Sequence, residues 1–421
     1  MNPLSDQLQA AVSGASAPLM SAGPFLLMLG VVLYLGVVGS YLFERYKIPD
    51  VLNLILIGLV LGPLLHLFDA RLLTPWMPVV GAVALGLILF EGGLDLELDN
   101  VIERFGLSFT LATGTFLATA GLIAVVFRSM TGSDWIHSLL LGTTLGCVSS
   151  AVILPISSIL TIPENVKTSI NLEAALSDMW GVVLTLSLIR LVPLEQVDHG
   201  QMVSALWSAF SIAIVGAGIF GALWLIVLDR FRESPFSYMM TLAAVFVLYG
   251  LTELVHGSGP MAALTFGAVL TNADKIAKLL HRKFKFVLDE KIRWFNTEVT
   301  FFARTFFFVY LGLVVSFTSF NFKFIIVLAV IMAAILLSRF FAVTVTTMFA
   351  YKKEAPYSAI YLSMLPRGLT SAVLVGMVQA RVPDTDAFLE YAFAVILLTN
   401  ILMTWWVYRH ERRGPVKTFG A

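Results

Sequence analysis

The stretch SINLEAALSDMWGVVLTLSLI, residues 169–189, carries two charges, Glu173 and Asp178, in an otherwise apolar run. A run of this length is a transmembrane helix, because crossing the hydrocarbon core takes about 20 residues. An acid at mid-bilayer costs about 2.5–3.5 kcal/mol on insertion scales, so each one must be partnered, neutral or functional. The whole chain is of the same kind. Of its 421 residues, 58% are apolar and 13% charged, against about 25% charged in an average soluble domain. Mean hydropathy is +0.88. These values exclude a soluble globular enzyme and a disordered chain. They also argue against a membrane barrel, whose alternating strands dilute the apolar signal. The class is an all-α polytopic membrane protein. Lys plus Arg is 27 and Asp plus Glu is 27, a balance that points to no nucleic acid partner. The single cysteine, Cys147, excludes a disulfide framework and a Cys-rich metal site. No histidine sits centrally in a span, and no cofactor is implied.

Working outward from residues 169–189, hydropathy gives thirteen transmembrane helices: 23–43, 50–68, 79–97, 106–128, 136–160, 166–192, 202–228, 236–254, 259–274, 295–316, 323–349, 355–379 and 387–408. Residues 1–22 lack the positive start of a signal peptide and read as an extracytoplasmic tail. An odd count puts the termini on opposite faces. Of the 27 Lys and Arg residues, 19 fall in one set of connections, which runs from Arg45 and Lys47 to the tail 409–421. Five fall in the opposite set, and Arg304, Arg339 and Arg367 lie inside spans. The positive-inside rule then places the C-terminus in the cytoplasm and the N-terminus outside. The densest basic stretch, KIAKLLHRKFKFVLDEKIR at 275–293, reads as a helix on the cytoplasmic surface or as a regulatory site for membrane lipids.

Two spans look interrupted. Span five, HSLLLGTTLGCVSSAVILPISSIL, has Thr143, Thr144, Gly146, Ser149 and Ser150 at its middle, followed by Pro155. Span twelve, APYSAIYLSMLPRGLTSAVLVGMV, has Ser363, Pro366, Arg367, Gly368, Thr370 and Ser371. Proline removes a backbone donor and clashes with the preceding turn. Backbone freed in this way belongs in protein or against a water-filled cavity. The two segments are seven spans apart. Repeating spans 1–6 as 8–13 makes them equivalent, and the odd offset inverts one repeat, with span seven as linker. Two inverted six-helix repeats with crossed discontinuous helices are the arrangement of secondary transporters. The plainer alternative is two ordinary proline kinks.

The intramembrane charges then divide. On a helix Glu173 and Ser177 share a face, while Asp178 is rotated by about 140° from Glu173. One carboxylate can be tied up structurally while the other meets an aqueous cavity. Arg339 in LLSRFF is the natural tie for Glu173, since a buried guanidinium demands a counter-ion; the alternative is that it snorkels to the interface. Asp178 is then either an acid satisfied by serines or a group that holds a proton or a hard monovalent cation in turn. Ser177, Ser149, Ser150 and carbonyls freed by the break would supply the remaining oxygen ligands. Competition for one carboxylate is sufficient for coupled exchange. Arg367, beside the second break, is placed to cap exposed carbonyls. Arg304 either supports a break, with Pro155 and Pro366, or anchors at the interface. Glu91 and Asp95, with Glu97 and Asp99, form either a cation funnel or a solvated loop.

Six strings in order are IPDVLNLILIGLVLGP (48–63), LFEGGLDLEL (89–98), the Glu-x-x-x-x-Asp of span six, FFFVYLGL (306–313), LLSRFF (336–341) and PRGLTSAVL (366–374). Together the set resembles the monovalent cation–proton antiporter superfamily, above all its sodium–proton exchanger branch. The resemblance implies a homodimer in a bacterial-type inner membrane. It implies a dimerisation domain from 23–105 and 236–322, a core domain from 106–192 and 323–408, a linker at 193–235, and elevator-like alternating access. By position, Asp178 is the ion-binding aspartate, Glu173 and Arg339 the structural pair, and Arg367 the crossing-helix arginine. Members often continue into cytoplasmic regulatory domains after the last span; here the tail is 409–421. Two departures stand out. Ser177-Asp178 replaces the usual Asn-Asp, and Ser149-Ser150-Ala151 replaces Thr-Asp-Pro, which looks more like the potassium-efflux branch. One aspartate rather than two implies electroneutral exchange of Na+, K+ or Li+ for H+. The competing expectation is a gated potassium efflux system or channel-like pathway, weakened by the lack of a TVGYG-like filter. No GxSxG or HExxH occurs, so no enzyme is expected.

Overall fold

The computed structural model describes residues 22–46, 50–67, 77–94, 96, 98–192, 199–231, 236–279, 290–314 and 321–411. Most of the amino-terminal tail, Asp95 and Glu97 of the acidic mouth, residues 280–289 of the basic stretch and the tail beyond Glu411 lie outside the described residues. Every regular element among the described residues is helical. In chain order they are α1 (Ala22–Tyr46), α2 (Asp50–Leu59), α3 (Met77–Leu94), α4 (Leu98–Thr131), α5 (Trp135–Gly146) and α6 (Ser150–Ile159). Next come α7 (Glu164–Leu191), α8 (His199–Phe231), α9 (Ser237–Leu254), α10 (Gly259–Thr271) and the short α11 (Ala273–Leu279). The last are α12 (Glu290–Val314), α13 (Phe322–Val345), α14 (Ser358–Ser363), α15 (Leu369–Gln379) and α16 (Asp386–Glu411). Among the described residues, eight helical segments are long and apolar enough to cross a membrane, and five shorter apolar helices accompany them.

The surface is apolar where lipid would lie. Trp207, Val215, Ile219 and Leu223 on α8 and Leu337, Phe340 and Phe341 on α13 are all exposed. The polar side chains are inside: Thr115, Thr119, Glu173, Asp178, Ser338, Arg339, Arg367 and Asn400 are buried. Such an inversion suits a chain whose solvent is hydrocarbon on its flanks.

Two groups of helices emerge from the packing. In the first, α4, α5 and α7 pack on one another, α13 packs on α4, α15 lies on α5 and α7, and α16 packs on α15. This brings both interrupted helices together. In the second, α10 packs on α3 and α8, and α12 packs on α2 and α3. Two crossings in this second group depend on facing glycines. A Cβ on Gly58 of α2 would lie 2.0 Å from the Val309 carbonyl oxygen, and one on Gly312 of α12 would lie 2.2 Å from that of Ile55. Where α3 meets α10, a Cβ on Gly93 would lie 2.1 Å from the Leu264 oxygen, and one on Gly267 would lie 2.3 Å from that of Phe90. Backbones approach this closely only where both side chains are absent.

The first break is Cys147–Ser149, between α5 and α6; the second is Met364–Gly368, between α14 and α15. Pro366 is inside the second break. Pro155, expected to support the first, instead lies within α6. Placed in the second turn of that helix, a proline removes one ladder donor without ending the helix. At the first break the N–H groups of residues 148–150 go to Ser177, the Pro366 carbonyl and Asp178 instead of to the helix ladder.

Candidate functional site

Three N–H groups that a continuous helix would consume are taken by other partners. Val148 N–H donates to Ser177 Oγ (2.9 Å), Ser149 N–H to the Pro366 carbonyl (3.0 Å), and Ser150 N–H to Asp178 Oδ2 (2.9 Å). The Ser150 hydroxyl also donates to Asp178 Oδ2, at 2.5 Å. Asp178 therefore sits at the N-terminus of the half-helix α6, where exposed N–H groups favour a negative charge. Its second oxygen, Oδ1, is buried and has no hydrogen-bond partner, and the same holds for Ser149 Oγ. The Thr370 hydroxyl, at the start of α15, neighbours the carboxylate. The crossing is tight. A Cβ on Gly368 would lie 2.3 Å from Ser149 Oγ, and Cys147 Sγ is 3.4 Å from Ser371 Oγ.

Each first half-helix ends on an arginine contributed by another element. At the end of α5, Arg367 Nε donates to the Leu145 carbonyl (2.7 Å), and its Nη1 donates to Leu365 O (3.2 Å). At the end of α14, Arg339 donates to the Tyr361 carbonyl from Nε (2.9 Å) and Nη2 (2.6 Å). Arg339 also grips Glu173 with both terminal nitrogens and reaches Thr115 Oγ1 at 3.4 Å. Both partners are about 1% exposed, so this is a buried ion pair. Of the two buried acids on α7, Glu173 has its counter-charge, while Asp178 is in none of the described ion pairs.

A cavity of about 690 Å³ leads to the site. Ser150, Ala151 and Pro155 of α6, Asn171 and Ala175 of α7 and Thr300 of α12 line it, with Glu164 and Lys167 where α7 begins. Glu91 and Arg304 also line it. Glu91 Oε1 accepts from the Thr297 hydroxyl at 2.8 Å. The Ser150 hydroxyl thus stands between the cavity and the fully buried Asp178. Leu89, Ala175 and Leu264 also border a separate space of about 10 Å³ among Met179, Val182, Pro260 and Met261.

Sequence reasoning missed two features. Arg104 and Glu354 form an ion pair at 2.5 Å, and Glu354 also accepts from the Tyr361 hydroxyl at 3.1 Å. Both charges lie beside apolar spans and look like surface charges in sequence. The other is Thr399-Asn400 in α16. Arg367 N–H donates to Thr399 Oγ1 (3.0 Å), and Asn400 Nδ2 donates to Arg367 O (2.7 Å). The available signal was a hydroxyl followed by an amide in the span seven places after Ser177-Asp178. Among the described residues, no group of three His, Cys, Asp or Glu side chains is placed to hold a metal ion.

A helical protein with a lipid-type surface, two interrupted helices meeting at a buried carboxylate and a cavity reaching that point is built as a membrane ion transporter, not an enzyme. The chain belongs to the transmembrane sodium/hydrogen exchanger family, whose sequence profile matches residues 30–408. It is 24% identical, over 90% of its length, to the K(+)/H(+) antiporter NhaP of Alkalimonas amylolytica, and spans 65% of that relative. It is 23% identical to the probable Na(+)/H(+) antiporter 2 of Methanocaldococcus jannaschii, covering 85% of each chain. Its fold is that of the sodium proton antiporter MjNhaP1 from the same organism. The TM-score is 0.78 at 22% identity, over 90% of this chain and 96% of that one.

Proposed function

We propose that this chain is a secondary antiporter that exchanges one monovalent cation, Na+ or K+, for one proton by competition at Asp178. The observation that carries this is the state of the carboxylate: Oδ2 is held by Ser150 at the helix N-terminus, while Oδ1 is buried and unpartnered. A buried negative carboxylate requires a counter-charge. A proton on Oδ1 supplies one; so does an alkali cation ligated by Oδ1, Ser149 Oγ and nearby oxygens of Ser177 and the unwound backbone. The two cannot occupy Oδ1 together, and because each brings a single positive charge the cycle is electroneutral. Arg367 is engaged with backbone carbonyls and Arg339 with Glu173, so neither guanidinium quenches the site. The relatives' names, which include both potassium–proton and sodium–proton antiporters, fit this reading.

The wider architecture follows in the same proposal. Thirteen membrane-spanning segments form two inverted repeats, with the outer terminus at residue 1 and the basic connections in the cytoplasm. The cavity, whose rim carries Lys167, then opens to the cytoplasm. The group of α4–α7 and α13–α16 moves as the carrier against α1–α3, α9, α10 and α12, which dimerise. Purified protein in proteoliposomes carrying a pH-sensitive dye tests the assignment. Cation-driven proton release is expected in the wild type and lost in Asp178→Asn. Release persisting unchanged in that variant overturns it, and currents far above carrier turnover in electrical recordings favour the channel-like alternative.

A further inference from the structure

The pair Thr399-Asn400 does at the second break what Ser177-Asp178 does at the first. In each case a hydroxyl accepts one backbone N–H of the unwound stretch, from Val148 to Ser177 and from Arg367 to Thr399. In each case the next residue holds the same stretch: Asp178 as an acceptor for Ser150, Asn400 as a donor to Arg367 O. In each case, too, one side-chain oxygen of that next residue, Asp178 Oδ1 or Asn400 Oδ1, is buried and unpartnered. The orientation of the Asn400 amide is fixed chemically, because its nitrogen faces two carbonyls, Arg367 O and Ile396 O, both at 2.7 Å.

We infer that Asn400 is a positioning residue for ion exchange, acting on the Asp178 site through the Arg367 backbone. The inference rests on the antiport reading above. Asn400 and Thr399 clamp the C=O and the N–H of Arg367. The clamped residue sends its guanidinium to Leu145 O at the end of α5. The carbonyl just before it, Pro366 O, receives Ser149 N–H. Ser149 in turn adjoins Ser150, which holds Asp178. Three hydrogen bonds, joined by the peptide links 366–367 and 149–150, therefore connect an uncharged amide in α16 to the exchanging carboxylate in α7. An amide suits this position because it donates at any pH. A carboxylic acid at 400 would donate only while protonated, and once ionised it would face two carbonyl oxygens.

The test compares Asn400→Ala, Asn400→Asp, Thr399→Val and Thr399→Ser by flux and by the labelling rate of Cys147. The latter is the chain's only cysteine and lies in the first break. Losing one buried hydrogen bond at this level should raise the apparent cation KM about fivefold to tenfold in Asn400→Ala and Thr399→Val. Cys147, slow to react with a small maleimide in the wild type, should label severalfold faster in both. Thr399→Ser, which keeps the hydroxyl, should restore wild-type KM and labelling. Asn400→Asp should transport at acid pH and lose activity as pH rises, which a purely volumetric role for the side chain would not produce. Two results overturn the inference: unchanged KM and labelling in folded Asn400→Ala, or an Asn400→Asp pH profile that superimposes on the wild type. Labelling does not depend on transport. Asp178→Asn could therefore retain flux while Cys147 still responds to position 400, which would sink the antiport site alone.

Discussion

At the first break, α7 brings a carboxylate; at the second, α16 brings an amide, and the break itself supplies the guanidinium of Arg367. The same backbone problem, three or four N–H and C=O groups released in a low-dielectric interior, is solved twice with opposite charge balance. At the second break the fixed charge is positive, and backbone carbonyls of the protein hold it. At the first break the charge is negative, and Asp178 Oδ1 is left buried without a hydrogen-bond partner, the oxygen that the proposed exchange fills with a proton or a cation in turn. The proposed exchange needs only one such site, and the negative break at α5/α6 is the one that requires a mobile positive charge.

The comparison can be broken most severely at the buried ion pair. Glu173→Gln leaves Arg339 charged and half-partnered at the end of α14, and removing one member of a buried pair costs about 3–5 kcal/mol. Thermal unfolding in detergent should show a large fall in Tm. The double variant Glu173→Met/Arg339→Met should recover much of it, because no unpaired charge remains. A smaller effect is expected where the two breaks touch. Gly368→Ala drives a methyl into Ser149; relieving such overpacking costs about 1–3 kcal/mol. Cation KM should rise as well, because Ser149 Oγ is a ligand in the proposed cation site.

The smallest effect sharpens a difference at the helix starts. Asp134 caps α5 by accepting Ile136 N–H at 3.1 Å, whereas α14 starts without a side-chain cap. The N–H groups of Ile136, first, and Trp135 hold the Asp134 carboxyl below its ordinary value. A depressed carboxylate contributes stability that is complete above its unfolded pKa and is lost as pH falls through the folded one. Asp134→Ala should cost about 1 kcal/mol at neutral pH. Tm measured against pH should show the gap between variant and wild type closing in acid.

Much of this arrangement is legible along the chain, because bilayer length and intramembrane charge are one-dimensional signals. The run 169–189 announces a span with two problematic acids, and Arg339 announces a counter-charge. Proline was a poorer guide. Pro366 marks its break, yet Pro155 sits within α6, and the first break is set by Ser177 and Asp178 from a helix about 30 residues later. The roles of Thr399-Asn400 and of Arg104 with Glu354 emerge only on folding, since their partners are 32, 33 and 250 residues away. Small polar residues give no hydropathy signal that separates a clamp from a passenger.

The central claim, one oxygen shared in turn by a proton and an alkali cation, is tested most directly by measuring the cation KM of reconstituted exchange across pH. Direct competition by one proton predicts an apparent KM that rises about tenfold for each unit fall in pH on the acid side, at constant maximal rate. A KM indifferent to pH, with only the maximal rate changing, would contradict it.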